Sequence, residues 1–233
     1  MNVCDKRLVA RLPLHQANPK ALSCGMLFFL VPLLCAMPTL GADISGRVVG
    51  QNGEGVAQAV VFVRALPPEV TVPPTPQSAV MDQIHQEFVP PLLPIAIGTE
   101  VSFPNRDQIH HHVYSFSRTK SFELPLYRGE DASPVLFDKE GVVKVGCNIH
   151  DWMSGIILVL PTPYFAVTDE TGRFVLRDLP PGSYPLVCWH ELSQTKVEET
   201  AQQIQVGENT PEVIFTLSLT AARPRPARKG GGY

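Results

Sequence analysis

Charged side chains are scarce in this 233-residue chain, at 18%, and neither sign dominates: 19 basic residues face 22 acidic ones, a formal net charge of −3. Without a basic excess the chain has no phosphate-binding footprint along its length, which argues against a nucleic-acid partner. Amphipathic helices are missing as well, since no stretch keeps apolar residues at the helical period, so a helix bundle or coiled coil is excluded. Long apolar runs are absent but for Leu27–Met37. That run contains Pro32 and falls short of the roughly 20 residues needed to cross a bilayer. Cysteine is sparse, with five in all, whereas proline (23) and glycine (17) are plentiful and point to short strands and many turns.

The one apolar run follows Lys6, Arg7, Arg11 and Lys20 and ends at the small residues Gly41 and Ala42. Residues 1–42 therefore read as a secretory signal peptide cleaved near Ala42, and the expected location is the periplasm, with no membrane span after cleavage. The exported chain would carry 15 basic and 21 acidic side chains, with Arg223, Arg225, Arg228 and Lys229 gathered at its end. Cys4, Cys24 and Cys35 would leave with the signal. A secreted chain that keeps only Cys147 and Cys188 suggests one disulfide, but the neighbours of Cys147 argue for other chemistry.

Beyond Ala42 the pattern is strand almost throughout. Ile44 to Val49 and Val56 to Val63 flank Asn52-Gly53, a strong hairpin signal. Residues 67–79, with five prolines between Pro67 and Pro76, form an extended Pro-rich linker. Strands are then expected at Leu93 to Ile97, Thr99 to Phe103, His110 to Phe116, Val135 to Phe137, Val142 to Cys147 and Gly155 to Leu160, at the spacing of an antiparallel sandwich. Further strands follow at Phe165 to Thr168, Arg173 to Leu176, Ser183 to His190 and Glu212 to Leu219. Residues 221–233 read as a disordered basic tail.

The chemistry-bearing residues cluster in the middle. Cys147, His150 and Met153 stand three residues apart at the end of a β-run, and His110-His111-His112 open another run some 35 residues earlier. Two histidines, one cysteine and a weak, distant methionine make a ligand set suited to a copper electron-transfer site, because thiolate and thioether favour Cu(I) while imidazole serves both oxidation states.

Two resemblances organise these observations. Gly46 to Val63, Thr168-Asp-Glu-Thr-Gly-Arg-Phe174 and Leu179-Pro-Pro-Gly-Ser-Tyr184 resemble the carboxypeptidase regulatory-like (transthyretin-like) β-domains, although about a hundred residues separate the first part from the rest. Cys147-x-x-His150-x-x-Met153, the upstream His strand and Leu93 to Asn105 resemble the cupredoxins, closest to the amicyanin type. Leu93 to Asn105 matches the family's paired strands before the first His. The chain from 43 to 220 resembles the bacterial methylamine utilization proteins. The expected fold is all-β: a cupredoxin-like Greek-key β-sandwich at 80–161, inserted into a small transthyretin-like sandwich made of 43–66 and 162–220.

The family frame, together with the alternation that puts His110 and His112 on the opposite strand face, favours His111, with His110 and then His112 as the alternatives. The implied metal ligands are His111, Cys147, His150 and Met153 around one type 1 copper ion. Where the family has an Asn that tethers the ligand loops, this chain has His112, and Asn148 is the expected substitute. Asp151, beside His150, would favour the oxidised metal, and Trp152 would offer an apolar contact to a partner. Cys188 is expected as a small core residue.

The implied function is that of an exported blue copper protein passing single electrons between redox partner proteins, in an amine-oxidation setting, and not an enzyme. The alternative is a copper carrier or sensor without redox turnover. Methionine-rich tracts, which would favour trafficking, are absent, and so are the several His-x-His pairs of a multicopper oxidase.

Overall fold

The computed structural model describes residues 41–72, 77–207 and 210–221. The expected signal peptide up to residue 40, part of the Pro-rich linker and the basic tail from 222 lie outside them. Among the described residues the regular structure is all β, apart from one 3-10 turn at Val197–Thr200.

Strand β1 (Ala42–Gly50) runs between β14 (Arg173–Leu179), to which it is antiparallel, and β17 (Val213–Leu217), to which it is parallel. All three alternate with period two. Ile44 and Val48, Phe174 and Leu176, and Val213, Phe215 and Leu217 point into one core, while Val175 and Ile214 face solvent on the other side. The sheet that closes this core is β13 (Phe165–Val167), β2 (Val60–Val63), β15 (Gly182–Trp189) and β16 (Gln202–Val206).

Asn52-Gly53 does turn the chain, with Gly53 at φ 81° and the Val56 N–H donating to the Val48 carbonyl at 2.9 Å. The expected hairpin does not follow, because β1 and β2 end in different sheets. All four residues of β2 are buried. A strand apolar on both faces belongs in an inner layer, and only the second sheet supplies one.

The other half centres on a five-stranded sheet, ordered β6 (Leu92–Ala96), β12 (His150–Leu160), β11 (Gly141–Cys147), β8 (His111–Phe116) and β9 (Ser121–Tyr127). A three-stranded sheet of β10 (Val135–Phe137), β7 (Thr99–Ser102) and β3 (Ser78–Val80) shares its core of Phe103, Val113, Phe137, Val145 and Ile157. Strands β6 and β7 are not partners of one another: the turn at Gly98, φ 88°, carries the chain from one sheet to the other. A short hairpin of β4 (Asp82–Ile84) and β5 (Glu87–Val89) completes this half, with Phe88 in the core.

Strand β12 begins five residues earlier than the sequence suggests and serves two cores. Met153, Ile157 and Val159 face the core just described, whereas Leu158 and Leu160 pack with Val60, Phe62 and Val187 in a third cluster. The outer face of the β2/β15 sheet is thereby covered by β12. Arg64 and Glu140 add a two-pronged ion pair at 2.9 and 3.2 Å between the same halves, and Thr162 donates to the Val63 carbonyl at 2.7 Å.

Cys188 lies in the core with Tyr184 and Leu186, Cys147 lies in the core with Val145, and both thiols are free. Burial pushes Cys188 up to about 12, which makes it chemically inert. Peptide mapping of protein alkylated in denaturant without reductant should therefore find both as unbridged thiols. Phe62→Ala should cost about 3–5 kcal/mol in urea unfolding; a loss below 1 kcal/mol would show that the third cluster does not hold the two halves together.

Candidate metal centre

Cys147 closes β11 and His150 opens β12, with Asn148 and Ile149 in the turn between them. The strand register breaks there: Gly146 pairs with Ser154, yet Cys147 pairs with His150. That irregularity swings the imidazole onto the same side as the thiol, which strict alternation would not do. His111 opens β8 beside Cys147's partner Val113, and its own pairing with Tyr127 sits across another register break. Three register-broken strand ends thus meet at one point.

The atoms that meet are His111 Nδ1, His150 Nδ1 and Cys147 Sγ. The two nitrogens are 3.2 Å apart, and the sulfur is 3.7 Å from His111 and 3.6 Å from His150. His111 and Cys147 are buried and His150 is half-buried. This is a group that can hold a metal ion. Bonds of about 2.0 Å to nitrogen and 2.3 Å to sulfur place neighbouring ligand atoms roughly 3–4 Å apart around one ion, so the triangle is the right size.

Around the triangle the charges are arranged in series. His111 Nε2–H donates to Asp107 Oδ2 at 2.9 Å, which on the neutral ring leaves the Nδ1 lone pair for the triangle. Burial alone would lower the His111 pKa, but its hydrogen bonds to the Cys147 sulfur and to Asp107 outweigh that, and it sits above its ordinary value. Burial pushes the Cys147 thiol up. Hydrogen bonds from His111 and from the His112 and Ile149 backbone overcome this, so the thiol is shifted toward thiolate, the form that binds metal.

Asp107 also accepts the backbone N–H groups of His85, at 2.7 Å, and Gln86, at 2.8 Å. Burial would raise its pKa, and these donors together with His111 hold it below the usual carboxylate value. His85 and Gln86 form the two-residue turn of the β4/β5 hairpin and both have positive φ, 55° and 62°. Neither is glycine, and holding such residues there costs on the order of 1–3 kcal/mol each. Sequence reasoning passed over Asp107. The available signal was an acidic side chain four residues before the ligand-type His111, in the same loop.

The remaining sequence-marked residues divide clearly. Met153 is buried in the same core cluster as Cys147. His110 is exposed, and His112 is turned away to lie 2.9 Å from Glu123, so neither belongs to the triangle. The ligand segments are tethered by the Asn148 backbone N–H, which donates to the His112 carbonyl at 3.1 Å. Asn148 thus acts here through its main chain, which any residue but proline supplies. Trp152 stacks obliquely on His150 with centroids 5.3 Å apart, and Asp151 is exposed.

Fold and site together define an all-β protein of stacked sheets with a His–Cys–His group at one sheet end. Among solved structures the chain is similar to a purple cupredoxin from Nitrosopumilus maritimus, at 26% identity over 36% of this chain and 98% of that one, with a TM-score of 0.31. It is also similar to the oxidized state of an amicyanin mutant, at 22% identity over 42% and 90% of the two chains, and to a copper-containing nitrite reductase from Thermus scotoductus SA-01, at 25% over 41% and 25%, each with a TM-score of 0.33. No family model matches the chain, and no curated protein matches it in sequence.

The two shifts on either side of the triangle's outer edge give the metal-free protein a pH profile. Asp107 is depressed, so its contribution to stability is present above about pH 4 and lost as pH falls through its lower folded value. His111 is raised, so its contribution is full below about pH 6.5 and lost as pH rises through its higher folded value. The joint Asp107–His111 contribution to the urea midpoint of the metal-free protein should be largest between these limits, and Asp107→Asn should flatten the acid limb. An acid limb unchanged in that variant would remove Asp107 from the account.

Proposed function

We propose that this protein is an exported type 1 (blue) copper protein that passes single electrons between redox partners and is not itself an enzyme. The observation that carries the reading is the convergence of His111 Nδ1, His150 Nδ1 and Cys147 Sγ at 3.2–3.7 Å on one another. A copper ion held there would supply one-electron chemistry by cycling between Cu(II) and Cu(I). Everything else falls to the chain's own side chains. Cys147 would offer a thiolate, His111 and His150 would offer neutral imidazole nitrogens, and Met153, buried in the same core cluster, would be the weak fourth donor. The three strong donors sit on β8, β11 and β12 of one sheet, so the frame resists rearrangement when the charge changes.

In this reading residues 80–161 are the copper domain. Residues 43–66 and 162–220 form the regulatory-like domain around it, joined on one side by the linker 67–79, whose last two residues already pair in β3, and residues 1–42 direct export to the periplasm. Ile149, 48% exposed, and Trp152, packed on His150, supply the apolar contact through which a partner protein meets the site. The resemblance to methylamine utilization proteins makes an amine-oxidising enzyme the first donor to try.

Copper-loaded, oxidised protein should show intense visible charge-transfer absorption, and Cys147→Ser should abolish it. A fully oxidised, copper-loaded protein without colour would overturn the blue-copper reading. Trp152→Ala should keep the spectrum and slow electron exchange with the partner, as read by stopped flow over a range of salt concentrations. Equal rates at every ionic strength would move the exit elsewhere.

A further inference from the structure

The hairpin turn at His85–Gln86 lies outside the ligand set, yet it is tied to it through one carboxylate. Asp107 Oδ1 accepts the His85 N–H, and Oδ2 accepts both the Gln86 N–H and His111 Nε2–H. Both oxygens are thus occupied by donors, and the carboxylate has little freedom to turn. The hairpin itself is pinned from the other side. Arg106 donates to Asp82 Oδ2 at 2.8 Å, and the Arg106 N–H donates to the Gln83 carbonyl at 3.0 Å. Phe88 of β5 and neighbouring Met81 are buried in the core and approach Gly155 of β12. The two left-handed turn residues persist in a conformation that side chains disfavour, and their adjacent N–H groups converge on Asp107.

We propose that Asp107, held by this turn, is the positioning residue that fixes the tautomer of His111, so that the Nδ1 lone pair is presented to the metal before the metal arrives. The inference deepens the reading of His111 as a ligand and rests on it. The chemistry is that of a carboxylate–histidine–metal series, in which the outer carboxylate orients the ring and selects which nitrogen carries the proton. What is particular to this chain is the source of the carboxylate's own orientation: two backbone donors from a turn in a separate two-stranded sheet.

An amide cannot accept from all three donors at once. In Asp107→Asn one of the two oxygen positions becomes NH2. If it faces His111 and Gln86, it opposes the Gln86 N–H and donates to His111 Nε2, which pushes the ring proton onto Nδ1 and into the triangle. If it faces His85 instead, it opposes that N–H and the turn loses a tether. A carboxylate-to-amide swap beside the histidine of a catalytic triad likewise leaves the geometry intact and installs the wrong tautomer.

The test uses the full chain and does not depend on electron transfer. Nitrogen-15 NMR of the metal-free protein under alkaline conditions, where His111 is neutral, should find His111 in the Nε2–H form, with the Nδ1–H form appearing in Asp107→Asn as the amide turns its NH2 towards the ring. Zn(II) and Cu(I) affinities should fall about 10- to 100-fold in that variant. Asp107→Ala, which leaves the proton free to choose, should lose less than the Asn variant. A merely structural role predicts the reverse order, since Ala removes every bond that Asp107 makes. Asp131→Asn, which removes a charge from the same cleft, should change neither readout.

A wild-type His111 in the Nδ1–H form would overturn the proposal, as would an Asn variant whose affinities stay within twofold of wild type. Should the Asn variant fail to fold, the wild-type tautomer and the Ala variant decide. Should the wild type bind neither metal, the reading of His111 as a ligand fails, while the tautomer measurement still judges the role of Asp107.

Discussion

The double burial of β12 is the constraint on which the rest of the molecule depends. One face of this strand, through Ile157 and Val159, fills the core beneath the His–Cys–His group, and the other, through Leu158 and Leu160, fills the cluster shared with Val60, Phe62 and Val187. A strand apolar on both faces cannot slip by a residue without exchanging one core for the other, so its register is fixed over most of its length. The register relaxes only at its first residues, where Cys147 pairs with His150 out of step. The site occupies the end of the strand that packing leaves free to depart from ideal pairing.

The same logic explains how the site can be both largely buried and polar. His111 is fully buried, and its ring nitrogens face a carboxylate on one side and a sulfur on the other. Burial opposes the charged form of each group taken singly, and each is held near that form by its neighbour. The backbone supplies the outermost members of the series, the turn N–H groups at Asp107 and the His112 and Ile149 main chain at Cys147. No single side chain carries the arrangement, so the site is assembled only when all these segments are in place.

Strands and ligand-type residues were legible in the sequence because both are written in short-range pattern. Period-two alternation located β8, β11, β14 and β17 to within a few residues, and the spacing of Cys147 and His150, with His111 upstream, pointed to the three side chains that the structure brings together. Less was legible where a segment's role depends on what lies across from it. Strand β9, with mostly exposed residues and Pro125 inside it, carries a weak apolar signal and was passed over, as were the short β3, β4 and β5 and the polar β16. The Asn52-Gly53 turn was visible, but the sheet to which its second arm goes was not.

The sequence by itself determined the all-β class and many of the turns, and it offered Cys147 and His150 as closely spaced ligand-type residues, since these follow from local propensity and side-chain chemistry. Only the tertiary structure decided that β1 and β2 part company, that His112 turns away from the site while Asn148 tethers it through the main chain, and that Asp107 stands behind His111. The reason is physical. Register breaks, two-sided burial and a carboxylate shared between a turn and a ring arise from contacts between segments far apart in the chain, and such contacts exist only once the chain has packed.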